Sequence, residues 1–137
     1  MSLFQVFDIS ATAMSAQSVR LNTIASNLAN AEVVSGNPEE AYRSRHPIFS
    51  TAFDQFMNNH GALGVKVDGV VESTVAPRKE YSPGHPLADE GGFIYRSNVD
   101  TVEEMTNMIS ASRSYQSSVE AMNTTKQLIM RTLSLGS

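Results

Sequence analysis

Residues 98–135 read NVDTVEEMTNMISASRSYQSSVEAMNTTKQLIMRTLSL. Between Pro86 and Gly136 the only Gly or Pro residues are the pair Gly91-Gly92, so nothing breaks a helix over this stretch. Apolar side chains recur at alternating steps of three and four, along Met105, Met108, Ser112, Tyr115, Val119, Met122, Lys126, Ile129 and Leu133. Seven of these nine positions are apolar, and the step pattern lays all nine on one narrow face of an α-helix. Val102, Ile109 and Leu128 widen that face beyond a strict coiled-coil seam. Two overlapping capping boxes, Asp100-x-x-Glu103 and Thr101-x-x-Glu104, mark the start, and the residues alone do not choose between them. Glu103 and Glu104 suit the positive end of the helix dipole, Lys126 and Arg131 its negative end, and Gly136 is placed to end the helix. At about 1.5 Å per residue such a helix runs roughly 50 Å, which calls for an equally long partner.

The other end of the chain supplies it. Residues 1–35 contain neither Gly nor Pro, and a seam with the same steps runs through Leu3, Phe7, Ser10, Met14, Gln17, Leu21, Ile24, Leu28 and Ala31. Ser2-x-x-Gln5 offers a capping box, and Ser35-Gly36-Asn37-Pro38 offers a stop. The spacing therefore predicts a mainly α protein. Long N- and C-terminal helices, residues 1–35 and 98–137, pair as a coiled-coil-like module around an insertion at 36–97. The polar face of the first helix is unusual. Asp8, Arg20 and Glu32 are its only charges in residues 1–35, and the rest is Ser, Thr, Gln and Asn. Small neutral polar groups are buried at less cost than charges, which suggests a face packed against other subunits. Asn27 and Asn30, beside the Leu28 position, are expected to act in that packing.

Between the helices, residues 36–60 read as a loop leading to Ile48, Phe49, Phe53 and Phe56, whose strand or helix character is undecided. Val65, Val67, Val71 and Val75 alternate as in a strand, with a bend expected at Gly69. Pro77, Pro83 and Pro86 make residues 76–87 extended or turning, and Glu90-Gly91-Gly92 turns into a short strand at Phe93-Ile94-Tyr95. The expected insertion is a β-rich unit of two to four strands, too small for a large core of its own.

Composition excludes several functions. The 137 residues carry ten Lys and Arg against fourteen Asp and Glu, for a net charge of −4, and the basic residues are scattered. That gives no electrostatic basis for nucleic-acid binding. The absence of Cys removes disulfides and thiolate metal sites. His46, His60 and His85 stand apart from any metal-ligand spacing, and Gly61, Gly64 and Gly69 match no phosphate loop. Ser-rich stretches lack a nucleophile elbow. Asp89 and Glu90 near His85 leave open a carboxylate–imidazole pair in a small enzyme, although a Pro-rich turn offers no pocket. No cofactor and no small-molecule substrate are expected. The first residues lack the basic and apolar regions of a secretory signal, so any export is expected by another route.

Leu21-Asn22-Thr23-Ile24-Ala25-Ser26-Asn27-Leu28-Ala29-Asn30-Ala31 resembles the signature of bacterial flagellar rod and hook proteins, which lies in their N-terminal helix. Ser97-Asn98-Val99-Asp100-x-x-Glu103-Glu104-Met105, followed by Ser110-Ala111-Ser112-Arg113-Ser114-Tyr115, resembles their C-terminal helix. Tyr81-Ser82-Pro83-Gly84-His85-Pro86-Leu87-Ala88-Asp89 and Gly64-Val65-x-Val67-x-Gly69-Val70-Val71-Glu72 are similar to the proximal-rod branch of the family. The resemblance implies an axial, non-enzymatic subunit in the periplasmic part of the basal body, exported by the flagellum's own type III apparatus. The partners it implies are other copies of the chain, other proximal-rod proteins, the distal-rod protein, and the membrane and peptidoglycan rings around them. Other axial subunits and an unrelated coiled-coil module presenting a β insert remain as alternatives.

Overall fold

The computed structural model describes residues 2–52 and 64–136. Phe53, Phe56, His60 and Gly61, which entered the sequence reading, lie outside the described residues. In chain order the elements are α1 (Leu3–Ala29), β1 (Val34–Ser35), β2 (Arg45–Ala52), β3 (Gly64–Glu72), β4 (Arg78–Tyr81), β5 (Phe93–Arg96) and α2 (Thr101–Leu135). Two long terminal helices thus flank a small β-rich insertion. β1, β5 and β4 form one antiparallel sheet in that order, and β2 pairs with β3 in a second.

α1 starts as its sequence prescribes. The Ser2 amide donates to Gln5 Oε1 at 2.8 Å, and the Gln5 amide donates to Ser2 Oγ at 3.2 Å, a reciprocal capping box. It ends earlier than expected. The helix stops at Ala29, where the Asn30 amide donates to the carbonyls of Ser26 and Asn27 and its side-chain Nδ2 donates to Ser26 O at 2.8 Å. The β-branched pair Val33-Val34 favours extended backbone over another helical turn. Val34 and Ser35 accordingly pair with Arg96 and Tyr95 of β5.

Among the described residues the insertion carries β2 to β5, within the two to four strands expected. Ile48 and Phe49, whose strand or helix character the residues leave undecided, lie in strand β2 despite Pro47, which a two-stranded ribbon tolerates on its outer edge. β3 runs through Gly69 without a break, and Val75 falls outside it.

The chain folds into two compact units. The first comprises residues 1–21, 47–69 and 110–137, and the second comprises residues 22–46 and 70–109. Each draws on both terminal helices and on the insertion. The first unit buries small residues: Ser10, Ala16, Ala111 and Thr125. The hydroxyls of Ser10 and Thr125 donate to carbonyls four residues back in their own helices, so neither is left unpaired. In the same unit β3 begins against α1. The Val65 amide donates to Thr12 Oγ1 at 3.2 Å, and a Cβ at Gly64 would stand only 2.9 Å from that oxygen. The second unit has the larger core, with Ile24, Ala31, Ala41, Ile94 and Val99 buried.

The turn between β4 and β5 is locked by one carboxylate. Asp89 Oδ1 accepts from the amides of Phe93 at 2.8 Å and Gly91 at 2.9 Å, and Oδ2 accepts from Tyr95 Oη at 3.1 Å. Gly92 sits at φ 80°, and a Cβ there would meet Tyr81 and Pro83 at 3.0 and 3.1 Å. Gly92→Ala is therefore expected to destabilise the second unit by about 1–2 kcal/mol, read by thermal unfolding.

Phe93 N–H first, then Tyr95 O–H, Gly91 N–H and the Lys79 ammonium hold the Asp89 carboxyl below its ordinary range. A group depressed in the folded state stabilises above its unfolded value, near pH 4, and loses that contribution as pH falls through the folded value. Asp89→Asn should therefore flatten the pH dependence of the melting temperature below about pH 4. An unchanged acid profile would show that the turn does not depend on the charge.

Candidate functional site

The best-connected side chain in the second unit is Asn27, which is 0% exposed. Its Nδ2 donates to Arg45 O at 2.8 Å and to Glu104 Oε2 at 3.1 Å. Its Oδ1 accepts from the Arg45 amide at 2.9 Å and from Tyr42 Oη at 3.0 Å. Two donors and two acceptor positions are all an Asn amide has, and all four are used. One residue thereby ties α1, the segment entering β2 and the first turn of α2. The sequence reading assigns Asn27 to packing between subunits, whereas these four bonds run to its own chain. Asn30, assigned the same role, uses its Nδ2 to cap its own helix.

The choice between the two capping boxes follows from this hub. Asp100 is the cap, with Oδ1 accepting from the amides of Val102 at 2.9 Å and Glu103 at 3.1 Å. Glu104 is thereby free to turn inward to Asn27, and it is only 4% exposed.

The residues before the cap complete the joint. Ser97, fully buried, accepts from the Val99 amide through Oγ at 3.1 Å. Asn98 Oδ1 accepts from the Ser44 amide at 2.7 Å, and its Nδ2 donates to Val75 O at 2.9 Å. Arg78 Nε donates to Ser97 O at 2.9 Å. Arg96 forms ion pairs with Glu32 and Glu80, tying the residues after α1 to β4 and β5. In the stretch 97–104 the polar side chains of Ser97, Asn98, Asp100 and Glu104 each have a fixed hydrogen-bond partner.

The expected seam residues divide into three groups. Ile24 and Asn27 are buried. Leu21, Leu28, Asn30, Met108, Tyr115, Val119, Met122 and Ile129 are half-buried. Met105 and Leu133 are exposed, as is Lys126. On α2 the buried positions are Glu104, Ala111 and Thr125, each one residue before an expected seam position, with Met108, Tyr115, Met122 and Ile129 alongside. The inward face is therefore rotated from the expected one by part of a residue step.

The physical reason is that counting apolar residues favours Met and Leu, while close approach of backbones favours Ala, Ser and Thr. The hydrogen bond to Asn27 then fixes the phase at Glu104. Large apolar groups are left outside: Val102 at 72%, Met105 at 56% and Ile109 at 56% exposure on the first turns of α2. Leu128, Met130, Leu133 and Leu135 are exposed towards its end. Of these, Val102, Met105, Ile109, Leu128 and Leu133 are what apolar periodicity misplaces, and no signal in the sequence alone separates them from core.

The catalytic alternative loses its geometry. Both Asp89 oxygens are engaged in the turn, and His85 Nδ1 accepts from the Leu87 amide at 3.1 Å. Among the described residues, no three His, Asp or Glu side chains group closely enough to hold a metal ion. No helix among them is long and apolar enough to cross a membrane.

Replacing Asn27 by Ala strands the Glu104 carboxyl, the Arg45 backbone and Tyr42 Oη, at about 1–3 kcal/mol for each buried group left unpaired. Thermal unfolding of Asn27→Ala should show a large drop in melting temperature. A wild-type melt would remove Asn27 as the organising contact.

Residues 7–36 match the family described as Flagella basal body rod protein, and residues 90–135 match the C-terminal family of the flagellar basal body rod FlgEFG proteins. These two ranges contain Asn27 and Glu104, whose side chains are bonded to each other in the hub. The chain is 45% identical over 136 residues to the flagellar basal-body rod protein FlgC of Salmonella typhimurium, covering 99% of both chains. It is 46% identical over 136 residues to FlgC of Yersinia enterocolitica and 47% identical over 138 residues to FlgC of Escherichia coli O6:H1, again over 99% of each. Identity of this extent, over the full length and including both signature regions, establishes that the chain belongs to the FlgC family of flagellar basal-body rod proteins.

Proposed function

We propose that the chain is a structural axial subunit of the proximal rod, which assembles helically with other rod proteins and carries torque. The observation that supports this most is the set of large apolar side chains left exposed on α2 after the chain has folded, with Val102, Met105 and Ile109 in the second unit and Leu128, Met130 and Leu133 in the first. Scattered surface hydrophobes are ordinary, but several on one helix mark a surface meant to be covered. A subunit whose contact surfaces are not related by a closing rotation builds a filament rather than a ring. In this reading residues 1–35 and 98–137 form the packing module as a coiled-coil-like pair, and residues 36–97 make lateral contacts.

Copies of the chain, other proximal-rod proteins and the distal-rod protein cover the helical faces. The membrane and peptidoglycan rings surround the assembly, and the subunit reaches the periplasm through the flagellar type III apparatus. The family is structural, and the work done is mechanical rather than catalytic.

Ile109→Asp and Leu133→Asp test the reading. Both side chains are exposed in the free subunit, so each variant should keep its stability to within about 0.5 kcal/mol. Each should nevertheless fail to enter rods, because assembly would bury an unpaired carboxylate. Normal swimming in soft agar by stably folded variants would contradict the proposal.

A further inference from the structure

Of the methionines among the described residues, Met105 and Met130 are exposed, at 56% and 61%, while Met14, Met108 and Met122 are half-buried. Met105 stands between Val102 and Ile109 on the outer face of α2. Met130 lines a shallow surface depression with Asn123, Lys126, Gln127 and Arg131. Exposure governs how readily a thioether is oxidised, and its sulfoxide is polar and a strong hydrogen-bond acceptor. An apolar contact built on these two side chains is therefore open to chemical control before it forms.

We propose that Met105 and Met130 are peroxide-sensitive modification sites, at which S-oxygenation of the free subunit blocks its packing without unfolding it. The sulfur lone pair attacks one oxygen of hydrogen peroxide, the O–O bond breaks, and the released oxygen leaves as water. The thioether is oxidised by two electrons to the sulfoxide as the peroxide is reduced. Neither side chain is in the buried core, so the hub at Asn27 is left intact. The block on packing rests on the assembly reading above, whereas the site preference does not.

Two measurements separate these parts. The purified full chain is treated with hydrogen peroxide, and peptide mass spectrometry follows each methionine while circular dichroism follows unfolding. Met105 and Met130 should be converted about tenfold faster than Met108, Met122 and Met14, with the melting temperature unchanged. Equal or faster conversion of the half-buried residues, or unfolding in step with oxidation, would overturn the site assignment.

Cells are then made to depend on Met105→Gln/Met130→Gln, a polar stand-in for the sulfoxide, or on Met105→Leu/Met130→Leu. The Gln pair should lower incorporation into isolated rods about tenfold, while the Leu pair assembles at the wild-type level and keeps assembling after a peroxide pulse that stops wild type. Wild-type incorporation of a folded Gln pair, or equal peroxide sensitivity of the Leu pair, would overturn the switch. Absence of the wild-type chain from isolated rods would instead refute the assembly reading and leave the mass-spectrometric result standing.

Discussion

A single amide organises the second unit. Asn27 has no surface exposure, and its four hydrogen bonds reach Arg45, Tyr42 and Glu104. Among the described residues the buried apolar ones are few and mostly small, so directional polar bonds carry much of the specificity that a large core would otherwise supply. A network of this kind has a sharp energetic character. It is worth little when each group could equally bond to water, and it is costly to break once water is excluded. That asymmetry makes the arrangement of α1 against the start of α2 unique rather than merely favourable.

The same contact decides what is left outside. With Glu104 turned to Asn27, the residues on the opposite side of the first turns of α2 are Val102, Met105 and Ile109. The helix is therefore apolar on a face that its own chain does not use. Internal polarity and external apolarity are two consequences of one rotation. The first fixes the fold of the second unit, and in the proposed function the latter is the surface that neighbours cover. A subunit destined for a rod gains from this division, because its fold does not compete with its neighbours for the same side chains.

Much of this was legible in the residues, and the remainder has identifiable causes. The two long helices follow from three-four periodicity without Gly or Pro, and Ser2-x-x-Gln5 marks the start of α1 as it forms. β5 and its preceding turn follow from Glu90-Gly91-Gly92 before Phe93-Ile94-Tyr95. The end of α1 was misplaced because a two-residue strand has no periodicity to read. Val33-Val34 beside the capping Asn30 was the only available sign. The phase of α2 was misplaced because periodicity weighs hydrophobicity and not size, so Ala111 and Thr125 yielded to their larger neighbours. The overlapping capping boxes at Asp100 and Thr101 could be separated only by a partner from elsewhere in the chain, and Asn27 is that partner. The flagellar signature pointed to the two segments that meet there, although not to the bond between them.

Cysteine accessibility tests the division between an inward polar hub and an outward assembly face most directly. The chain has no native Cys, so Ile109→Cys introduces a single reporter on the exposed face of α2. Maleimide labelling should be rapid in the free folded subunit and strongly suppressed in isolated rods that contain the same variant. Equal labelling of the free and assembled forms would mean that this face stays open in the rod and would contradict the account.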